Sequence, residues 1–257
     1  MTTDERGKLA AALLKKTIEL GADLAGLAPV SVLRNGPSEQ LFPRMKDHAR
    51  DHFAERVTTG LPHGAVKWEE EEQTLLVFAL SHPAEQPELD WWVGEDDPPG
   101  NRMLMDIARG LKDAAEAMEP TLRVFLKPYH VEKGGVYLKD AAVAAGLGCI
   151  GRSNLLVTPQ FGPRVRLRAV GLNLALPGSG ASAFDPCADC AAPCRSGCPQ
   201  EAFAKRIYTE EDGAFLPARD GSYYRLSCVM EMEKNEQAPG DTVRYCRACE
   251  LRCPVGR

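Results

Sequence analysis

Apolar residues recur at two periods along this chain, and the switches between them mark its elements. Leu9, Leu13, Leu14 and Ile18 fall at helical spacing, with Thr3 or Asp4 placed to cap the start and Gly21 to end the helix. The short apolar segment 23–28, closed by Pro29, predicts a first strand. Residues 30 to 73 hold charge, Pro, Gly and His without a sustained period. They predict surface helices and loops, with Trp68 and the run Glu69 to Glu72 as a solvated edge. Thr74 to Leu80 is a continuous apolar run and predicts a buried strand. Pro83 and residues 94–100 mark a loop, after which Asn101 is placed to cap a helix with Leu104, Ile107, Leu111 and Ala115 on its apolar face, ending before Pro120. Leu122 to Leu126 predicts a strand, and a helix follows from about Gly135 through Ala145, closed by Gly146. Val165, Leu167 and Ala169, then Val170, Leu172 and Leu174, alternate with one phase slip, which predicts a long strand with a bulge.

Helices and strands thus intermingle up to about residue 176, giving an α/β or α+β class with strand order open. Pro177 to Ser182 is small and polar and predicts a linker, so the expected units are 1–176 and 183–257. With 257 residues and 44% hydrophobic composition the chain can bury a sizeable core in one or two domains. Its longest apolar runs fall far short of a membrane span. The net charge of −5 without a Lys/Arg-rich run argues against a large phosphate-backbone footprint. The beginning MTTDERGKLA has no apolar signal core, so a cytoplasmic protein with reduced thiols is expected.

Those thiols carry the strongest chemical signal. Eight of the nine cysteines fall between Cys187 and Cys253: Cys187, Cys190, Cys194 and Cys198-Pro199, then an outlying Cys228, then Cys246, Cys249 and Cys253-Pro254. Thiolates bind iron in fours, and in two-cluster ferredoxins the Cys before Pro in each run ligates the other run's cluster. That crossover assigns one 4Fe-4S cluster to Cys187, Cys190, Cys194 and Cys253, and the other to Cys198, Cys228, Cys246 and Cys249. Two four-thiolate zinc sites are the alternative reading. His48 and His52, at i and i+4, are a weaker metal candidate.

A second stretch reads Ala145-Gly146-Leu147-Gly148-Cys149-Ile150-Gly151-Arg152-Ser153-Asn154. Its glycines allow positive φ or close backbone approach, and Arg152 and Asn154 add donors. The glycines follow a helix instead of opening one, which disfavours a nicotinamide fingerprint. A loop cradling a polar cofactor and a packed turn both remain open.

Together the two stretches resemble the family of epoxyqueuosine reductases and reductive dehalogenases, from roughly the first helix to Cys253 and most specifically from Glu132 onward. The resemblance implies an α+β protein: a cobalamin-binding domain of the flavin-nitroreductase-like type joined to a two-cluster ferredoxin-like module. It implies that Gly146, Leu147, Gly148, Cys149, Gly151, Arg152 and Asn154 line the cobalamin pocket, with Cys149 either a small buried hydrophobe or a residue facing the corrin. It places a proton donor at Glu132, with Tyr129 and His130 as neighbouring candidates. The implied activity is that of an oxidoreductase in which the clusters reduce cobalamin, fed by an external ferredoxin or flavodoxin, for reduction of an electrophilic substrate. A small molecule, a corrinoid protein and a tRNA are all open as substrates. The chain ends four residues after Cys253, without the helical repeats or the twin-arginine leader of some members. A corrinoid-reducing protein or a ferredoxin-like carrier is therefore the alternative.

Overall fold

A computed structural model describes residues 1–45, 57–94, 97–234 and 241–256. Its elements in chain order are α1 (Thr3–Glu19), β1 (Leu24–Pro29), α2 (Val30–Leu33), α3 (Pro37–Leu41), β2 (Thr74–Ser81), β3 (Trp91–Val93), α4 (Pro99–Met118), β4 (Val124–Leu126), α5 (Leu138–Ala144), β5 (Cys149–Ile150), β6 (Leu156–Val157), β7 (Val165–Leu172), α6 (Pro193–Ser196), α7 (Arg225–Glu233), β8 (Thr242–Arg244) and α8 (Ala248–Arg252). This is a mixed α/β fold built on small antiparallel sheets. The largest has the order β1-β2-β7-β4.

Both faces of that sheet are covered. On one, Leu76, Phe78 and Leu80 of β2 pack with Leu13 of α1 and Leu104, Ile107 and Leu111 of α4. On the other, Leu75, Val77 and Ala79 pack with Val30 and Leu33 of α2 and Ala141 and Ala142 of α5. A strand buried on both sides reads as an unbroken apolar run, which explains Thr74 to Leu80. It also explains β7, where the expected bulge is absent: pairing runs without interruption from Thr74 opposite Leu172 to Ser81 opposite Val165. Leu167 and Ala169 face α5, whereas Val170 and Leu172 face α1 and α4. The apparent phase slip is a change of covered face.

Other boundaries move by a few residues. Helix α1 is capped by Thr2, whose hydroxyl accepts from the Glu5 N–H while the Glu5 carboxylate accepts from the Thr2 N–H. Its buried face is Ala10, Leu13 and Thr17, and Ile18 is exposed. Helix α4 starts at Pro99, so Asn101 lies inside it and accepts from Arg166 at 2.8 Å. The acidic run is not solvated throughout: Glu72 is buried and paired with Lys127 at 2.6 Å. His48 and His52 lie outside the described residues.

The cysteine-bearing segment is laid against the end of this sheet. Strand β8 pairs with β3. Arg247 donates to the carbonyls of His82 and Pro83, and Arg164 to those of Glu250, Cys253 and Val255. The 177–182 segment runs along β1, with Ser179 bonded to Leu27 through both its N–H and its hydroxyl. Among the described residues no helix is long and apolar enough to cross a membrane.

Candidate functional site

Helix α6 opens at Pro193, directly after Ala192 turns into the left-handed region, and this turn swings Cys194 back toward Cys187 and Cys190. Cys253 follows α8 and joins them. Burial pushes the Cys194 thiol up, and neighbouring Cys253, Cys187 and Cys190 add to the shift. Cys228 on α7, Cys246 after β8 and Cys249 on α8 meet Cys198 in the same way. Burial raises Cys228, with Cys198 and Cys246 adding, and raises Cys249 to about 12, with Cys228 and Cys246 adding. Cys249 also senses Cys194, so the two groups adjoin. Backbone N–H groups already point at sulfur: Ala192 donates to Cys190 Sγ at 3.4 Å and Ala202 to Cys198 Sγ at 3.3 Å. Among the described residues no three His, Cys, Asp or Glu side chains close tightly enough to hold a single metal ion.

The glycine loop lies beside the first group, its glycines turned to the protein's own backbone. A Cβ on Gly148 would sit 2.1 Å from the Val157 carbonyl oxygen, and one on Gly146, whose φ is +76°, would sit 2.3 Å from that of Gly180. Gly151 packs on Val157 and on Cys187 Sγ, and Leu147 is buried. The loop's polar groups are engaged with the cysteine segment. Arg152 donates to the carbonyls of Cys190 and Ala188 at 3.1 and 3.0 Å, and Asn154 Oδ1 accepts from the Ala218 N–H. Cys149 accepts from Arg219, which also pairs with Asp185. As placed, this loop fastens the cysteine segment to the sheet.

Tyr129 and Tyr245 lie beside the second group. Tyr129 is 38% exposed, yet desolvation lifts its hydroxyl to about 12, with Tyr245 adding and Arg168 and Arg225 opposing. Tyr245 immediately precedes Cys246, and its ring lies 4.7 Å from Trp92. Arg225 stands one helical turn before Cys228 and is within electrostatic reach of Tyr129, Tyr245, Lys139 and Cys228. Lys139 donates to the Asn154 carbonyl, and burial lowers its ammonium to about 8.

The three candidate proton donors do not converge. His130 meets Tyr129 edge to face at 5.1 Å. Glu132, in the turn Val131–Lys133, bonds His63 Nε2 at 3.2 Å, and His63 packs on Phe42. Sequence reasoning missed His63, Arg168, Arg225 and Tyr245. The i, i+3 pair Arg225 and Cys228, and the adjacency of Tyr245 to Cys246, were signals that could have found two of them. Arg168 reads in sequence as the polar side of a strand.

No protein-family model matches the chain, and no curated protein matches it. Solved structures do. An epoxyqueuosine reductase from Streptococcus thermophilus aligns with TM-score 0.66 at 17% identity over 96% of this chain and 66% of that one. An epoxyqueuosine reductase bound to an epoxyqueuosine-modified tRNA-Tyr stem loop aligns with TM-score 0.69 at 14% identity, over 97% and 65%. A reductive dehalogenase described by B12-dependent dehalogenation aligns with TM-score 0.62 at 16% identity, over 100% and 33%. The chain therefore shares their fold while spanning about two thirds of the reductases and one third of the dehalogenase.

Proposed function

We propose that this chain is an iron–sulfur oxidoreductase in which two 4Fe-4S clusters serve cobalamin for reduction of an electrophilic substrate. The observation that carries the reading is that the second thiol group and Tyr129 share their neighbours. Tyr245 adjoins Cys246, and Arg225 stands one turn before Cys228. The fold likeness to epoxyqueuosine reductases and a B12-dependent dehalogenase supports it. So does the donor chemistry. Burial favours the neutral, protonated thiols, and the positive charge of iron would reverse that preference toward the thiolate. In a cubane each thiolate takes a different iron, so the four sulfurs stand farther apart than around one ion.

Cys187, Cys190, Cys194 and Cys253 would hold one cluster, and Cys198, Cys228, Cys246 and Cys249 the other. Residues 183–257 are on this reading a ferredoxin-like module and 1–176 a nitroreductase-like cobalamin unit. The cofactor is assigned to the side of Tyr129, Tyr245 and Arg225, because in the glycine loop Arg152 donates to the Cys190 and Ala188 carbonyls and Asn154 Oδ1 accepts from Ala218, bracing the cysteine segment. When bound, the clusters supply one-electron carriers and cobalamin a low-potential, nucleophilic cobalt. Tyr129, protonated throughout the physiological range, holds a proton at its hydroxyl oxygen for the reduced product. Glu132 and His63 form a second polar pair apart from Tyr129. Arg225 places a positive charge between Tyr129 and the thiolates. An external low-potential donor such as a ferredoxin or flavodoxin, in the cytoplasm, completes the scheme.

Anaerobic iron reconstitution tests the reading. Wild type takes up about eight irons per chain with two cluster signals in electron paramagnetic resonance, and Cys194→Ser and Cys228→Ser each lose a different one. A wild-type chain that binds zinc but refuses iron sinks the proposal.

A further inference from the structure

Tyr223 lies five residues before Cys228, in the loop that leads into α7, and its hydroxyl donates to Cys228 Sγ at 3.7 Å. Among the described residues that hydroxyl makes no other hydrogen bond. The ring stacks on Phe203, with centroids 5.6 Å and planes 26° apart, and the Arg195 guanidinium lies 5.8 Å from the same Phe203 ring. Arg195 also makes a two-oxygen pair with Asp220, at 2.6 and 2.9 Å, and Asp220 in turn accepts from the Ser222 N–H at 3.0 Å. On the other flank the Tyr224 N–H donates to the Ala202 carbonyl at 2.8 Å. Both chain neighbours of Tyr223 are therefore tied down.

The sulfur sits against an apolar wall. Ala202, Phe203 and Ala218 form a small buried nucleus, and Cys198, Cys228, Cys249 and Tyr223 pack against it. Three of the four thiols of the second group thus share one wall with the Tyr223 ring. Burial holds the Tyr223 hydroxyl well above its ordinary value, so it keeps its proton at neutral pH. Once iron displaces the thiol proton of Cys228, the sulfur can only accept, and the hydroxyl is left as the donor. Hydrogen bonds to the sulfurs are among the factors that set the reduction potential of such clusters. The reduced cluster carries the greater negative charge, and a donor bonds more strongly to the more charged acceptor. The bond therefore favours reduction, and apolar surroundings keep water from diluting it.

We propose that Tyr223 sets the reduction potential of the second cluster by donating its hydroxyl hydrogen bond to the iron-bound sulfur of Cys228. This rests on the assignment of Cys198, Cys228, Cys246 and Cys249 to one 4Fe-4S cluster, and it adds a residue that makes that cluster easier to reduce. It also accounts for the outlying place of Cys228 in the sequence: the loop that brings this thiol brings its donor.

The iron-reconstituted full chain is reduced stepwise with dithionite and redox mediators, and both cluster signals are followed by electron paramagnetic resonance, the second being the one lost in Cys228→Ser. Tyr223→Phe keeps the ring and the wild-type iron content. It should lower the second cluster's potential by about 59 mV, a tenfold change in a one-electron equilibrium, and leave the first cluster where it was. Replacing Tyr223 by a tyrosine fluorinated beside its hydroxyl, a stronger donor of nearly the same shape, should raise the second potential above that of wild type. Equal potentials in wild type and Tyr223→Phe, or a shift of both clusters together, overturn the proposal. If Tyr223→Phe does not hold the second cluster, the fluorinated chain decides: a potential at or below the wild-type one overturns the proposal, and a higher one upholds it. A wild-type chain that shows no second cluster signal refutes the functional reading itself, and this proposal falls with it.

Discussion

The buried pair of Lys127 and Glu72 offers a prediction that needs no cofactor. Their side chains are 3% and 0% exposed, 2.6 Å apart. Glu72 otherwise accepts only from the Glu69 N–H, at 3.1 Å, and its Oε1 has no partner and presses on Gly171 of β7. Lys127→Met leaves that carboxylate uncompensated, and breaking a buried pair from one side costs about 3–5 kcal/mol. Replacing both partners, with Lys127→Met and Glu72→Leu together, should return stability to within about 1 kcal/mol of wild type. The pH dependence has a definite sign. Burial already raises the Glu72 carboxyl above its ordinary 4.5, and Lys127 is the main opposing influence. Without Lys127 the folded-state value climbs further, so the folded chain holds the proton more tightly than the unfolded one. The deficit is therefore greatest at neutral pH and shrinks as the pH falls toward the unfolded carboxyl value. Urea unfolding followed by circular dichroism at pH values of about 7.5 and 5.5 measures both effects. A single-variant deficit below about 1 kcal/mol, or one that grows on acidification, refutes the reasoning. Because β4 ends just before Lys127, the pair also fixes the strand end that presents Tyr129.

Arg152→Ala removes two donors that hold the Cys187–Cys194 loop, so reconstituted iron should fall from about eight to about four per chain while the second cluster signal persists; unchanged iron would contradict the bracing role. Gly148→Ala would force a Cβ to 2.1 Å from a backbone oxygen that cannot swing away, and should destabilise the chain by about 2 kcal/mol or more in urea. Burial raises the hydroxyls of Tyr129, Tyr137, Tyr223 and Tyr245, so the native chain at a pH of about 10.5 should show far less tyrosinate absorbance than the urea-unfolded chain. Folded-state values above the unfolded one mean that this protonation stabilises the fold below pH 10 or so, and that the contribution is lost as the pH climbs past it.

The buried strands and the α4 face were legible because burial on one or two faces leaves a period in the sequence: Leu104, Ile107, Leu111 and Ala115 all reach the core. Cysteine spacing marked the thiol-bearing loops because a tight loop leaves only certain separations within reach. Glu72 was not legible, since a charge buried against a partner 55 residues away looks in sequence like any solvated charge. The phase slip in β7 misled because alternation reports one covered face and cannot distinguish a bulge from two. The loop glycines read equally as a ligand cradle and as a packed turn, because close approach to a ligand and close approach to Val157 and Gly180 ask for the same residue. The neighbourhood of Tyr129 was invisible: Arg168, Arg225 and Tyr245 come from distant segments, and the fold brings them within electrostatic reach of Tyr129.

The most direct test of the central claim is an anaerobic titration of the iron-reconstituted chain with cob(II)alamin, followed by electron paramagnetic resonance. One equivalent should bind per chain, with the cobalt signal perturbed by the neighbouring second cluster and that perturbation lost in Cys228→Ser. A chain that carries about eight irons and leaves the cobalamin signal unchanged would contradict the account.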